Sequence, residues 1–217
     1  KTFRLLKLDS PALFFLCTVL LLFACEYRMI GRPEMFSHLF TVIFLYRLLH
    51  FHHTKSKRVW LLIPLQAVWC NLHEAYAIGI VMLLIDTAIS WLLYFKNKDE
   101  KPWYITVCTF AATGALVINP RGILLLLRPL NIFAQVQTNK YTTELDSFLT
   151  PEYWQKESWF FVLTVLTIVV YILHQYRNNQ LKKLQDIFPL QYFGICLAFM
   201  FLAFTAYRNI IFFQLAA

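Results

Sequence analysis

Solid apolar runs alternate along the chain with short polar segments. Seven runs are candidates for membrane helices, and an eighth, partial run begins near Ile210. The seven are Pro11–Tyr27, Met35–Phe51, Val59–Leu72, Tyr76–Phe95, Trp103–Ile118, Trp159–Tyr176 and Phe188–Ala206. A helix needs about 20 apolar residues to cross a bilayer core, and the shorter runs suit helices packed inside a bundle. Because none of them alternates as a strand does, the pattern predicts an all-α, polytopic transmembrane bundle of about eight helices.

Composition supports this prediction. The 217 residues are 59% hydrophobic and only 15% charged, whereas about 25% of a typical soluble domain is charged. The chain starts at Lys1 and ends in an apolar run that resembles a helix cut short. We therefore expect residues 1–217 to form a single transmembrane domain that is a fragment of a longer protein. The five cysteines lie in or at the ends of apolar runs and form no CxxC pair, which favours packing roles.

The basic residues predict the orientation. Four basic segments begin at Lys1, His50, Lys96 and Arg177, and counting the runs places all four on one side. That side carries 13 basic and five acidic residues, and the other side carries seven of each. The excess of Lys and Arg marks the cytoplasmic side. The net charge of +8 then reflects topology and contact with membrane lipid, so we expect no nucleic-acid partner.

Candidate chemistry gathers on the opposite, outer side. Gly31 and Pro33 predict a turn, Arg28 precedes it and Arg32 lies within it, and the two guanidinium groups suit phosphate oxygens. Glu34 opens the next helix, where a carboxylate suits the helix dipole, and Ser37 follows one turn later. The alternative is an ordinary interfacial loop that fixes the positions of two helices.

A second outer segment holds Asn71, His73 and Glu74 between two apolar runs with almost no loop. Polar side chains at that depth are costly unless they are paired or used. His73 and Glu74 can transfer protons or bind a divalent cation, and the alternative is a hydrogen-bonded helix hairpin. One histidine beside one glutamate is not a metal site, so we predict none.

The remaining polar positions complete the outer face. Asn119-Pro120-Arg121-Gly122 predicts a turn that opens an outer interfacial helix and loop over residues 121–158. In it, Ile123–Phe133 is too short to cross the membrane. Asp146 and Glu152 are candidate acids of this loop, and the alternative, which we expect, is that they are solvated loop charges. Arg208 and Asn209 separate two apolar runs, where a guanidinium needs an anion. Mid-run Asp86 is expected to pair with Arg47 or to face a polar cavity.

Four short motifs on this side carry a resemblance. They are Arg32-Pro33-x-x-x-Ser37, Trp69-x-Asn71-x-His73, Asn119-Pro120-x-Gly122 and Arg208-Asn209. In this order they resemble polytopic bacterial glycosyltransferases of the GT-C fold. Within this fold, the chain most resembles branches that are similar to the dolichyl-phosphate-mannose protein mannosyltransferases and the lipid-linked sugar transferases. The family's acidic residue of the first outer loop would lie before Lys1, and Glu74 stands where the family has glycine.

The resemblance implies transfer of a sugar from a polyprenyl-phosphate donor to an acceptor outside the bacterial inner membrane. The expected catalytic residues are Glu34, His73 and Glu74. The expected substrate-binding residues are Arg28, Arg32, Ser37, Asn71, Asn119, Arg121, Arg208 and Asn209. The cofactor stays open, with a divalent cation such as Mg²⁺ or Mn²⁺ as one option.

Two other classes of protein compete with an enzyme. One is a non-catalytic membrane subunit, which would bind other membrane subunits of a larger complex. The other is a transporter or flippase, which internal repeats and broken helices would favour. No clear repeat is visible in the sequence.

Overall fold

The computed structural model describes residues 11–26, 31, 33–98, 100–129, 131, 145–154, 156–177 and 189–217. All regular secondary structure in these ranges is helical. The α-helices are α1 (Pro11–Cys25), α2 (Glu34–Thr54), α3 (Leu62–Leu72), α4 (Ala77–Asn97), α5 (Trp103–Gly114), α6 (Lys156–Arg177), α7 (Leu190–Thr205) and α8 (Ile210–Ala216). Short 3₁₀ helices occupy Lys57–Leu61, Glu74–Tyr76, Ala115–Ile118, Gly122–Leu126, Pro151–Tyr153 and Tyr207–Asn209. Each predicted run thus contains one α-helix, and the all-α prediction is confirmed for this part of the chain.

The ends of two long helices show why the apolar runs stop where they do. Pro33 precedes α2, whose first turn carries Glu34, a carboxylate that suits the positive end of the helix dipole. Lys55 and Lys98 adopt the left-handed conformation after α2 and α4. Their backbone N–H groups bond to the carbonyl oxygens of Phe51 and Tyr94, which satisfies the last helical turn. Polar, basic residues therefore end both helices.

A helix that crosses a bilayer must be long and apolar, and the helices of this chain differ in both respects. In the described ranges, one helical stretch, Glu74–Asn97, is long and apolar enough to cross a bilayer. It has 24 residues and joins the 3₁₀ turn Glu74–Tyr76 to α4. The shorter apolar helices are Trp103–Ile118, Ser158–Leu173 and Leu190–Thr205. A polytopic arrangement accordingly stays a prediction.

The chain divides into two compact units. The central unit is Gly31–Asn139 and contains α2 to α5, and the terminal unit combines Lys1–Ile30 with Lys140–Ala217. The prediction of one transmembrane domain over residues 1–217 stays a prediction. Most of the predicted site residues belong to the central unit.

Trp69 stands at the middle of the core of the central unit. Its ring is fully buried and meets Phe40 and Phe44 of α2 edge-on, at centroid distances of 5.5 and 5.4 Å. Such pairs favour this edge-to-face geometry. Gly79 lets the backbone of α4 approach this cluster closely. A Cβ atom at this position would lie 2.9 Å from Cζ3 of Trp69. The core thereby fixes the end of α3 that carries the polar residues.

A buried polar pair lies elsewhere in the same unit. Asp86 of α4 has both carboxylate oxygens 2.8 and 2.9 Å from Nε2 of His52, and the hydroxyl of Ser90 donates to it at 3.3 Å. The expected Asp86–Arg47 pair is therefore wrong. The Arg47 guanidinium lies 5.8 Å from the Tyr46 ring centroid. Histidine supplies the partner because α2 and α4 pack side by side and bring His52 to the depth of Asp86.

The terminal unit packs α1 against α6 and α7 against α8. The phenol of Tyr153 donates to the carbonyl of Ala203 at 2.7 Å, and Thr164 bonds to Gln214 at 2.8 Å. Of the predicted outer segment 121–158, residues 130, 132–144 and 155 lie outside the described residues. Asp146 contributes its backbone carbonyl to a bond from the N–H of Tyr207.

Candidate functional site

Three segments of the central unit converge at one end of its helices. They are the start of α2, the turn between α3 and α4, and the chain that follows α5. Ser37 Oγ lies 2.8 Å from Nδ1 of His73, and the indole N–H of Trp69 donates to the same Oγ at 2.9 Å. These bonds join the first two segments, and Ser37 is fully buried. Ser37 and His73, two of the predicted site residues, are thus in direct contact within this unit.

The hydrogen bonds of His73 define its neutral form. An indole N–H can only donate, so the Ser37 hydroxyl oxygen accepts from Trp69. The backbone N–H of Ala75 donates to Nδ1 of His73 at 3.2 Å. The bond from Ala75 requires a lone pair on Nδ1, which places the proton of neutral His73 on Nε2 and makes the Ser37 hydroxyl the donor to Nδ1. Nε2 is accordingly the donor atom of neutral His73, a role that the sequence did not distinguish from that of a base.

The two asparagines hold the turns of the site. Asn119 Nδ2 donates to Asn71 Oδ1 at 3.1 Å and to the carbonyl of Cys70 at 2.9 Å. Asn119 Oδ1 accepts from the backbone N–H of Arg121 at 2.9 Å. Gly122 follows with φ of +52°, a conformation that glycine adopts at little cost. These amides join the end of α3 to the turn that carries Arg121.

An ion pair forms one side of the site. Nη2 of Arg128 lies 2.6 Å from Oε1 of Glu74. This hydrogen bond, together with the charge of Glu74, raises the pKa of the Arg128 guanidinium above its ordinary value. The phenol of Tyr76 donates to the carbonyl of Leu125 at 2.6 Å and so ties the segment that precedes Arg128 to the turn Glu74–Tyr76.

Together these residues surround a pocket of about 220 Å³, which we call the polar pocket. Ligand pockets for drug-sized molecules are larger, about 300–1,000 Å³, so the polar pocket suits one anionic group with its waters. It is lined by Cys70, Asn71, Leu72, His73, Glu74, Tyr76, Asn119, Arg121, Leu125 and Arg128.

Arg128 is the member that sequence reasoning missed. It is the one charged residue in the apolar segment Ile123–Phe133. A cation in such a segment needs an anion, and that requirement was the available signal. In the structure, Glu74 is the anion that pairs with Arg128.

The other predicted residues are placed as follows. Glu34 lies in the first turn of α2, one turn before Ser37. Arg208 and Asn209 belong to the terminal unit, where Asn209 Nδ2 donates to the carbonyl of Leu202 at 3.2 Å. Arg28 and Arg32 lie outside the described residues.

Whether the site could bind a divalent cation depends on which side chains could ligate it. Among the residues that the structure describes, no group of three His, Cys, Asp or Glu side chains lies close enough to hold a metal ion. In the polar pocket, Glu74 bonds to a guanidinium and Nδ1 of His73 accepts two hydrogen bonds. This donor set does not fit Mg²⁺ or Mn²⁺, which favour several oxygen ligands.

Comparison of the chain with protein-family models, with curated proteins and with solved structures finds no match. Inference about function therefore depends on the sequence motifs and on the chemistry of the polar pocket.

Proposed function

We propose that the chain belongs to a membrane glycosyltransferase that takes a sugar from a polyprenyl-phosphate donor. The observation that carries the proposal is the polar pocket, which places a carboxylate (Glu74), a histidine (His73) and two guanidinium groups (Arg121 and Arg128) around one small space. A base and an anion-binding group are what glycosyl transfer from a phosphate ester requires.

The surroundings of the polar pocket support a membrane location. Ile118 and Ile123, which flank the turn at Asn119, expose 69% and 68% of their surface. Leu124 and Leu127 are also exposed. Large apolar side chains exposed close together in the sequence favour lipid or protein contact. A polar pocket beside such surface suits the boundary of a bilayer, where a lipid-linked phosphate lies.

The residues divide the chemistry as follows. The carboxylate of Glu74 removes the proton of the acceptor hydroxyl as the acceptor oxygen bonds to the anomeric carbon. The bond from that carbon to the phosphate oxygen breaks, and its electron pair stays on the phosphate. Arg121 and Arg128 stabilise the resulting charge, and the Nε2–H group of His73 donates a further hydrogen bond. Arg28, Arg32 and Arg208 stay predicted contributors to phosphate binding, and Glu34 stays a predicted second base.

The experiment is sugar transfer in proteoliposomes by the full-length protein, with a membrane extract as the source of acceptor. Label is expected to move from a polyprenyl-phosphate sugar and not directly from the corresponding nucleotide sugar. The double variant Arg121→Gln/Arg128→Gln should slow transfer by about 10²-fold or more, because two charge-stabilising groups are lost. Arg47→Gln is the matched control and should leave the rate unchanged. Transfer from nucleotide sugars alone, or no transfer from any polyprenyl donor, would contradict the proposal.

A proton-coupled transporter is the second candidate, and one observation favours it. Asp86 is fully buried in the stretch Glu74–Asn97 and is paired with His52, and ionisable pairs at membrane depth are found in proton relays. Asp86→Asn separates the two functions, because a transporter of this type would lose coupled transport. If the protein is a transferase, correctly folded Asp86→Asn protein should transfer sugar at the wild-type rate.

A further inference from the structure

The Arg128 guanidinium presents a two-pronged edge of which only one prong is bonded. Nε–H and one N–H of Nη2 point to the same side of an arginine and form a fork that matches two oxygens of one anion. Glu74 Oε1 occupies the Nη2 prong at 2.6 Å. The Nε atom is buried and has no hydrogen-bond partner among the residues that the structure describes. The edge is therefore half occupied.

The contact that occupies it is easily exchanged. The side chains of Glu74 and Arg128 expose 58% and 40% of their surface. Exposed ion pairs contribute little stability, because water and salt screen them. A phosphate that bonds to both Nε and Nη2 makes two charge-assisted hydrogen bonds where the carboxylate makes one. Exchange of Glu74 for a phosphate would also satisfy the buried Nε–H group, whose desolvation is otherwise uncompensated.

We propose that the phosphate of the substrate displaces Glu74 from Arg128, so that donor binding itself releases the carboxylate that acts as base. This inference rests on the proposed function and adds regulation to it. While the polar pocket holds no phosphate, Oε1 of Glu74 is held by the Arg128 guanidinium. When the phosphate binds, Glu74 is free to accept the proton of an acceptor hydroxyl.

The exchange predicts an unusual sign for one variant. Glu74→Gln removes the competing charge but keeps the shape of the side chain, so phosphate should bind more tightly. We expect its affinity to rise about 2- to 5-fold, which corresponds to the loss of an exposed ion pair. Arg128→Lys should weaken phosphate binding about 10-fold or more, because lysine has no fork. Glu100→Gln is the matched control for the change in charge and should leave the affinity unchanged.

The measurement is calorimetric titration of inorganic phosphate into the full-length protein in phosphatidylcholine nanodiscs, repeated with a short-chain polyprenyl phosphate. Tighter binding of both probes by Glu74→Gln supports the exchange. Unchanged or weaker binding by that variant overturns it. A third arm uses nanodiscs that contain phosphatidylglycerol. If phosphatidylglycerol abolishes binding of both probes, a lipid headgroup fills the fork, and the donor is not its ligand.

The outcome is independent of sugar transfer. If the protein transfers no sugar but Glu74→Gln binds phosphate more tightly, the proposed function fails and the anion exchange stands. If transfer occurs and Glu74→Gln binds phosphate no better than the wild-type protein, the exchange fails and the transferase stands.

Discussion

Replacing His52 with leucine is expected to lower the free energy of unfolding by about 3–5 kcal/mol. The Asp86 side chain is 1% exposed, and the His52 ring contacts both of its carboxylate oxygens. Without the ring, the Ser90 hydroxyl is the remaining partner that the structure shows for the carboxylate. A buried carboxylate without a paired group is costly, because its lost hydration is not compensated. Denaturation in mixed micelles, followed by circular dichroism, measures the change.

Two further variants separate this cause from loss of packing. His50→Leu is the matched control, because His50 lies on the same helix and bonds to nearby Thr54; it should cost less than about 1 kcal/mol. The double variant His52→Leu/Asp86→Leu replaces the pair with apolar groups and should recover most of the lost stability. A double variant as unstable as the sum of its single changes would show that the pair is not the reason.

Gly79→Ala is expected to cost about 1–3 kcal/mol, the range for overpacked cores. The added Cβ atom would contact Gln66 Oε1 and would lie 2.9 Å from Cζ3 of Trp69 and 3.1 Å from Cε1 of Phe44. These neighbours cannot move cheaply. Gln66 is fully buried and donates to the carbonyl of Tyr76, and Trp69 is fully buried and donates to Ser37.

The control for Gly79 is Gly114, where an added Cβ atom has no neighbour within 4 Å. Because Gly114 lies in a helix, Gly114→Ala should be neutral or stabilising by up to about 1 kcal/mol. The same unfolding measurement serves both variants. Equal stability of Gly79→Ala and the wild-type protein would mean that α4 does not approach the Trp69 cluster as closely as the structure shows.

The helices could be predicted from the sequence because each corresponds to an apolar run ended by polar or helix-breaking residues. The boundaries moved by a few residues where local bonds decided them. The Val59–Leu72 run, for example, begins with the 3₁₀ turn Lys57–Leu61 before α3. The division into two units could not be predicted, since apolar runs do not specify which helices pack together.

The candidate site was predictable in its location and not in its pairings. The expectation that Asn71, His73 and Asn119 share one end of a helix bundle followed from counting runs. The partners of Asp86 and Glu74 depend on how far one helix is rotated and shifted against its neighbour. Sequence spacing does not contain that information, so His52 and Arg128 emerged from the structure.

The most direct test of the central claim is the initial rate of sugar transfer from a polyprenyl-phosphate donor by the Glu74→Gln protein. The assay uses saturating donor and compares this variant with Glu100→Gln. Loss of a general base typically costs about 10²–10⁴-fold. We expect a fall in that range for Glu74→Gln and an unchanged rate for Glu100→Gln. Equal rates for the two variants would contradict the assignment of the polar pocket as the site of transfer.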